Sequence, residues 1–305
     1  MELSSQVGLN ILECLGFEFP NGKKEIENSA EKSADFFVNY QGETKKLDIL
    51  IEVKLKQYDS KVNKEREKIL EQGEIYVTPT SSRTVESINT IIRSANEQLR
   101  QSNINLSSDF NILLFVAVGY DSDTYSEQLI NSLYGLASII NLDKKTEKKC
   151  YFYHYNEFIK RESIDCVIVA ESKNLDSFNS EEMIKESLNT DNFNISFCIN
   201  PFSEKLILLK NEFLPKIKGN YVVKDPNDEI ESGEAYCLDK EDWDELGTEH
   251  KKFCEKYKGN IDFLDCLEKY MSRQLPKNKY LSDKYKENLM SISWENPKFT
   301  IRRQG

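Results

Sequence analysis

The stretch SADFFVNYQGETKKLDILIEVK, residues 33–54, decides the fold of the N-terminal part of the chain. Apolar and aromatic residues dominate 33–40 and 47–56, and the polar segment QGETKK lies between them. Two such runs joined by a short polar segment are typical of a β-hairpin. Because side chains alternate between the two faces of a strand, Ile49 and Ile51 are predicted to lie on a core face.

The opposite face of the second strand carries charged residues. If the turn is centred between Glu43 and Thr44, the numbers of paired residues sum to 87, and Asp35 lies opposite Glu52. Directly opposed Cβ atoms are about 5 Å apart. Two carboxylates this close repel each other unless a cation lies between them, and oxygen ligands suit Mg²⁺. Lys54, two residues further on the same face, is placed to contact a water or a phosphate oxygen.

The flanking sequence predicts helices and strands that alternate along the chain. Amphipathic patterns predict helices at 5–15 and 84–101, and the continuous apolar run at 111–120 predicts a buried central strand. Further predicted elements are a helix at 124–140 and strands near 150–155, 165–171 and 194–199. This order indicates an α/β layer fold.

The composition changes around residues 172–194, which are rich in Ser, Asn and Glu. We therefore expect one domain at 1–175 and a second, mixed and mostly helical interaction domain at 176–305. Two helices are predicted in the second domain, WDELGTEHKKFCEKYKG and IDFLDCLEKYMSRQL, and Pro276 would end the latter.

The hairpin stretch resembles the core of the PD-(D/E)xK nuclease superfamily, whose members include restriction enzymes and archaeal Holliday-junction resolvases. The pattern of that family is an acid that opens one strand and an (E/D)-x-K triplet inside the next apolar strand. Asp35, Glu52 and Lys54 match it, and Ala34 stands where the family often has Pro. The resemblance spans residues 5–120 and implies a restriction-endonuclease-like αβββαβ core with a mixed central sheet.

The same resemblance implies a metal-dependent endonuclease site. Asp35 and Glu52 would bind Mg²⁺ or Mn²⁺, with the Val53 carbonyl as a third ligand. The first core helix of the family often donates a further acid, for which Glu13 is the candidate. The helix after the triplet sometimes supplies a polar residue, and Gln98, beside the apolar stripe of its helix, takes that place.

Other interpretations of these residues stay open at this point. Glu52 and Lys54 could form the solvent-exposed face of an edge strand, with Asp35 capping a turn. A bare (D/E)-x-K triplet is also weak evidence, because the chain has others, among them Glu43-Thr44-Lys45, Asp143-Lys144-Lys145, Glu147-Lys148-Lys149 and Glu171-Ser172-Lys173. Only the last of these ends an apolar strand, and the preceding predicted strand, CYFYHY, offers it no acid.

Composition excludes several classes of protein. Of 305 residues, 39% are hydrophobic and 30% charged, which is typical of a soluble globular protein. Seven cysteines without a CxxC pair and only two histidines disfavour a zinc site, a disulfide framework and Cys-His or Ser-His catalysis. Because no run approaches the roughly 18 apolar residues of a membrane span and the N-terminus has no secretory leader pattern, we expect a cytoplasmic protein without membrane contact.

The net charge of -11 disfavours tight binding to naked nucleic acid by the whole surface. The charge is uneven, however. Residues 225–249 hold 11 acids, whereas residues 272–305 hold 8 Lys and Arg against 3 Asp and Glu. Nearer the predicted site, the basic candidates for phosphate contacts are Lys56, Lys61, Lys64, Arg66 and Lys68. We therefore expect DNA as the ligand, with a partner protein or a homo-oligomer supplying part of the affinity.

Three functions follow, from different classes. The first is a metal-dependent DNA endonuclease, in the manner of restriction and anti-phage defence effectors. The second is a catalytically silent nuclease-like fold that acts as a binding or assembly subunit. The third is an unrelated α/β protein with a chance motif. Convergence of Asp35, Glu52 and Lys54 on one position is the feature that separates them.

Overall fold

The predicted hairpin is present in a computed structural model of the chain. Its strands are β1 (Phe36–Gln41) and β2 (Lys46–Lys56). They pair antiparallel with Phe36 opposite Ile51 and Gln41 opposite Lys46. The numbers of paired residues therefore sum to 87, and the predicted register is confirmed.

The structure describes ten segments of the chain: residues 2–20, 33–57, 60–73, 76–81, 86–119, 121–173, 192–217, 221–238, 281–292 and 295–300. The chain divides into two compact units. The first comprises Met1–Ile130, Phe158–Asp225 and Glu295–Gly305, and the second comprises Asn131–Glu157 and Pro226–Trp294.

A six-stranded mixed sheet forms the centre of the first unit. Its other strands are β4 (Phe110–Ala117), β7 (Cys166–Ser172), β8 (Phe193–Ile199) and β9 (Tyr221–Val222). The order is β1-β2-β4-β7-β8-β9. β2, β4 and β7 are mutually parallel, β1 is antiparallel to β2, β8 is antiparallel to β7, and β9 is parallel to β8. The prediction of an α/β fold with a mixed sheet is confirmed. Because β2 has a neighbour on each side, the edge-strand interpretation of Glu52 is wrong.

Five helices connect or flank these strands: α1 (Leu3–Cys14), α2 (Ser60–Glu71), α3 (Glu86–Asn105), α4 (Ser122–Tyr134) and α5 (Glu157–Lys160). On one face of the sheet, α1 packs against the odd-numbered core residues of β2. A Cβ atom at Gly8 would lie 2.6 Å from Cγ2 of Val53, so glycine at this position permits the close approach. Ile49 and Ile51 belong to the same core cluster.

Helix α3 contacts β2 as well. Of the apolar residues predicted to share one face of it, Ile88, Ile92, Ala95 and Leu99 are fully buried and Ile91 is partly exposed, while Val85 lies outside the described residues. Ser102 continues this buried line and is itself 1% exposed. The burial of the stripe fixes the rotation of α3 about its axis, and with it the direction of the polar side chains beside the stripe.

The division into units differs from the expected domains at 1–175 and 176–305. The expected boundary, between residues 175 and 176, lies within 174–191, which is outside the described residues. Beyond it, β8 pairs with β7 and belongs to the first unit. The described residues after 191 also contain several strands, so the expectation of a mostly helical C-terminal region does not fit them. The predicted helices at 243–259 and 261–275 lie outside the described residues.

A four-stranded sheet forms the centre of the second unit, in the order β10-β6-β5-β11. The strands are β5 (Leu136–Asn141), β6 (Thr146–Phe152), β10 (Ala235–Leu238) and β11 (Leu289–Ile292). The prediction of one helix through residues 124–140 is wrong. Helix α4 ends at Tyr134 because Gly135 has φ +63 and lies against the Phe152 carbonyl, where a Cβ would be 2.3 Å from that oxygen. The following residues pair as β5.

The remaining elements are short. β3 (Tyr76–Ser81) pairs antiparallel with β12 (Glu295–Thr300), apart from the central sheet. Single helical turns or short helices occur at Tyr153–Tyr155, Leu206–Leu208, Leu209–Phe213, Leu214–Lys216 and Pro226–Glu231. No helix within the described segments combines the length and apolarity that crossing a membrane requires.

Candidate active site

Asp35 lies at a bend directly before β1, in the position that the hairpin register places opposite Glu52. Its Oδ2 accepts a hydrogen bond from the Val53 backbone N at 2.7 Å. Its Oδ1 accepts one from Oγ of Ser5, on the first turn of α1, at 3.2 Å. These two bonds hold the Asp35 carboxylate against β2 at the point where the β1–β2 ladder ends.

The Val53 carbonyl faces the same side of β2 as Asp35. In a strand the N–H and C=O of one residue point to the same neighbour, and the Val53 N–H points to Asp35. In a continued ladder the Ala34 amide would donate to this carbonyl, but it donates to Oγ of Ser102 at 2.7 Å instead. The Val53 carbonyl is thus directed to the Asp35 side while its usual ladder partner is engaged elsewhere.

Glu52 is the most deeply buried member of the site, with 1% of its surface exposed. Its Oε1 pairs with Nζ of Lys54 at 2.6 Å. Its Oε2 is buried and accepts no hydrogen bond within the described part of the chain. The Asp35 carboxyl lies within hydrogen-bond reach of Glu52 when one of the two is protonated. Burial and, next, the negative charge of Asp35 raise the Glu52 pKa to about 8, against the opposing effect of Lys54. The ionised form of Glu52 would therefore be stabilised by a further cation beside Oε2.

Lys54 connects β2 to α3. Its Nζ donates to Oε1 of Gln98 at 2.8 Å, and Oγ of Ser94 donates to the same oxygen at 3.1 Å. The Gln98 Nε2 donates to the Ser33 carbonyl at 3.1 Å. One amide side chain therefore fixes both the Lys54 ammonium and the segment that leads into Asp35. The structure brings together four of the predicted site residues: Asp35, Glu52, Lys54 and Gln98.

Glu13 is not brought to this group. It lies eight residues after Ser5, which corresponds to about 12 Å along the helix axis. Beyond α1, Glu18 forms a β-bridge with Asn39, so the C-terminal end of the helix approaches the later part of β1. Asp35 precedes β1, and Glu13 therefore lies toward the opposite end of that strand.

Three serines that the sequence analysis did not consider support the site. Ser5 bonds Asp35, Ser94 bonds Gln98, and Ser102 bonds the Ala34 amide. Ser5 and Ser102 are 2% and 1% exposed, each on the buried face of its helix. In the sequence, a small polar residue in line with an apolar helical stripe predicts a buried hydroxyl that supports a site, because such a hydroxyl requires a hydrogen-bond partner.

The oxygen donors of the site fit a hard divalent cation such as Mg²⁺ or Mn²⁺. Two carboxylates are adjacent, the Val53 carbonyl points to the Asp35 side of β2, and the Oε2 of Glu52 accepts no hydrogen bond from the described residues. Across the described residues, no cluster of three or more His, Cys, Asp or Glu side chains is arranged for a metal. Water or substrate oxygens would therefore have to complete the coordination.

The basic candidates near the site differ in accessibility. Lys64 and Lys68 are exposed on α2. Arg66 is 3% exposed and pairs with Oδ2 of Asp121 at 3.2 Å, so it is a structural residue rather than a surface contact for phosphate. Lys56 lies beyond Lys54 on β2. The Lys61 side chain and much of the basic segment 272–305 lie outside the described residues.

Comparison with known proteins identifies no relative of this chain. No family model, no curated protein and no solved structure matches the chain.

Proposed function

We propose that the chain is a metal-dependent nuclease of the PD-(D/E)xK type that hydrolyses phosphodiester bonds in DNA. One observation carries the proposal: a buried Glu52 carboxyl lies opposite Asp35, with one oxygen paired to Lys54 and the other accepting no hydrogen bond in the described chain. Burying two adjacent carboxylates costs free energy, which a bound cation would offset. Carboxylates with a shifted pKa beside a lysine are typical of catalytic sites.

The order of elements supports the family resemblance. Helix α1, the β-bridge at Glu18, β1, β2, α3 and β4 follow one another as helix, three extended segments, helix and strand. Helix α2 and β3 are inserted between β2 and α3, and β3 pairs outside the central sheet. We infer an αβββαβ core in which the first extended segment is reduced to a single bridge.

In this proposal the carboxylates of Asp35 and Glu52 and the Val53 carbonyl hold Mg²⁺ or Mn²⁺. When bound there, such a metal would supply a water of lowered pKa and would neutralise charge on the scissile phosphate. Hydrogen bonds from Ser5 and from the Val53 amide orient Asp35. Because Glu52 is buried, its charge interacts strongly with a nearby cation, as expected where water is excluded.

Lys54 performs the second part of the proposed chemistry. Its side chain is 24% exposed, so the ammonium lies between the buried Glu52 and solvent. From there it donates to a phosphate oxygen or to the attacking water and stabilises the negative charge that develops in the transition state. Gln98 keeps the ammonium directed toward the site, since it accepts from Nζ at 2.8 Å.

The net charge of -11 leads us to propose that a partner protein or a second copy of the chain contributes to DNA affinity. A nuclease that depends on a partner for DNA affinity is compatible with a restriction or defence effector. This role is proposed by analogy with the architecture of such effectors and not from the site residues. Tight, salt-insensitive DNA binding by an isolated monomer would contradict this part of the proposal.

The direct test is cleavage of supercoiled plasmid and of single-stranded DNA with Mg²⁺, with Mn²⁺ and with EDTA. Wild type should cut only with metal, and Glu52→Gln should not cut. Glu171→Gln, in the Glu171-Ser172-Lys173 triplet at the end of β7, is the matched control and should retain activity. DNA binding without cleavage under every metal condition would instead favour the silent binding or assembly subunit.

A further inference from the structure

The lysines of the hairpin turn and of β2 differ in how their charges are balanced. Three of them pair with carboxylates at 2.6 to 2.8 Å: Lys45 with Asp109, Lys46 with Glu18, and Lys54 with Glu52. Lys56 is the exception, since it has no carboxylate partner among the described residues. Its Nζ lies 5.2 Å from the ring centroid of Tyr125 on α4.

An aromatic ring holds a cation without cancelling its charge. The face of a tyrosine ring attracts an ammonium group but supplies no net negative charge. Tyr125 therefore restricts where the Lys56 side chain lies and leaves its positive charge available to an anion. In a chain with a net charge of -11, Tyr125 thus positions a lysine whose charge no carboxylate of the described residues balances.

The position of Lys56 matches the geometry of a nucleic-acid strand. Because strand side chains alternate, Lys56 projects from the same face of β2 as Lys54 and Glu52. Two residues along a strand correspond to about 6.6 Å, which is comparable to the separation of neighbouring phosphates in one nucleic-acid strand. The half-buried Lys56 lies further toward the end of β2 than the partly exposed Lys54.

We propose that Lys56 binds the phosphate adjacent to the scissile phosphate on the same DNA strand, and that Tyr125 positions it. The proposal rests on the proposed nuclease function only in naming the scissile phosphate at Lys54. The binding itself requires no metal and no cleavage, because it is a charge contact with the DNA backbone. It places the path of the substrate strand along the end of β2, from Lys54 toward Lys56.

The test is the salt dependence of DNA binding in EDTA, where cleavage is excluded. Fluorescence anisotropy of a short fluorescein-labelled single-stranded oligonucleotide would be measured with wild type, Lys56→Ala and Lys46→Ala. Loss of one phosphate contact should lower the slope of log K against log salt by about 0.7 and weaken binding several-fold. Lys46→Ala removes the same charge from the opposite end of the same strand and should leave the slope unchanged.

A second pair of variants tests the role of Tyr125. Tyr125→Phe keeps the aromatic ring and should bind as wild type does, whereas Tyr125→Leu should weaken binding part of the way toward Lys56→Ala. Equal slopes for Lys56→Ala and Lys46→Ala would overturn the proposal, and so would the absence of oligonucleotide binding by wild type. The nuclease function is judged separately by metal-dependent plasmid cleavage, so the two failures are distinguishable.

Discussion

Two Glu-x-Lys triplets begin on apolar strands of the same sheet, and their surroundings differ. Glu52 of β2 and Glu171 of β7 lie on either side of β4, and both strands run parallel to it. Glu52 is buried opposite Asp35, whereas Glu171 is partly exposed and lies opposite Asn194 of β8. A triplet becomes a candidate metal site only where the neighbouring strand supplies a second carboxylate.

The position along the strand separates the triplets further. Glu52 lies in register with Leu113 in the middle of β4, whereas Glu171 lies in register with Ala117 at its end. Glu52 is 1% exposed at its position, whereas Glu171 is partly exposed. The raised pKa of Glu52 follows first from this burial and not from the motif in which it occurs.

The largest expected effect is loss of the carboxylates. Glu52→Gln or Asp35→Asn should lower the cleavage rate by roughly a thousandfold or more, because each removes a metal ligand that is worth several kcal/mol in the transition state. Asparagine at position 35 keeps an acceptor for the Val53 amide, so the fold is preserved. Plasmid nicking with Mg²⁺ measures the rate, and a comparable loss in Glu171→Gln would remove the distinction between the triplets.

Loss of the lysine comes next. Lys54→Ala should reduce kcat by roughly 100- to 1,000-fold, the usual cost of removing one donor that stabilises transition-state charge. Lys173→Ala is the matched substitution in the other triplet and should change kcat little, because Lys173 is exposed. Steady-state cleavage of a labelled oligonucleotide separates kcat from KM. Equal rates for Lys54→Ala and wild type would remove Lys54 from the mechanism.

Gln98 should have a smaller effect, since it acts through Lys54. Gln98→Ala is expected to lower activity by about 10- to 100-fold, as is typical of residues that orient a functional group. Gln98→Glu keeps an acceptor for Nζ and should recover part of the loss. The control is Gln101→Ala on the same helix, whose Nε2 donates to Oε1 of Glu97 at 3.0 Å and to no residue of the site. If both alanine variants behaved alike, Gln98 would have only a structural role.

The smallest effect concerns stability. The Glu52 pKa rises from an ordinary 4.5 to about 8 in the folded protein, so folding favours the protonated form. Its contribution is fully present below about pH 4.5 and is lost as the pH rises to about 8, on the order of a few kcal/mol. Chemical denaturation in EDTA should therefore show wild type losing stability from about pH 5 to 8 relative to Glu52→Gln. Parallel pH profiles for the two proteins would contradict the buried, protonated Glu52.

Much of the hairpin could be predicted because it depends on local sequence. A short turn with strands on both sides determines the register, and the pairs that sum to 87 were predicted from the position of the turn. The position of Gln98 beside the apolar stripe of α3 followed from helical periodicity in the same way. The continuation of α4 into a helix at 136–140 was predicted wrongly, because the apolar residues there pair with β6.

The sequence by itself determined the hairpin, the face shared by Glu52 and Lys54, and the opposition of Asp35 and Glu52, since each follows from backbone periodicity over a few residues. The tertiary structure alone decided that β4 covers the other side of β2, that Ser5 and not Glu13 reaches Asp35, and that β8 returns to the first unit. Burial and its electrostatic consequence for Glu52 arise from segments far apart in the chain, which no local pattern encodes.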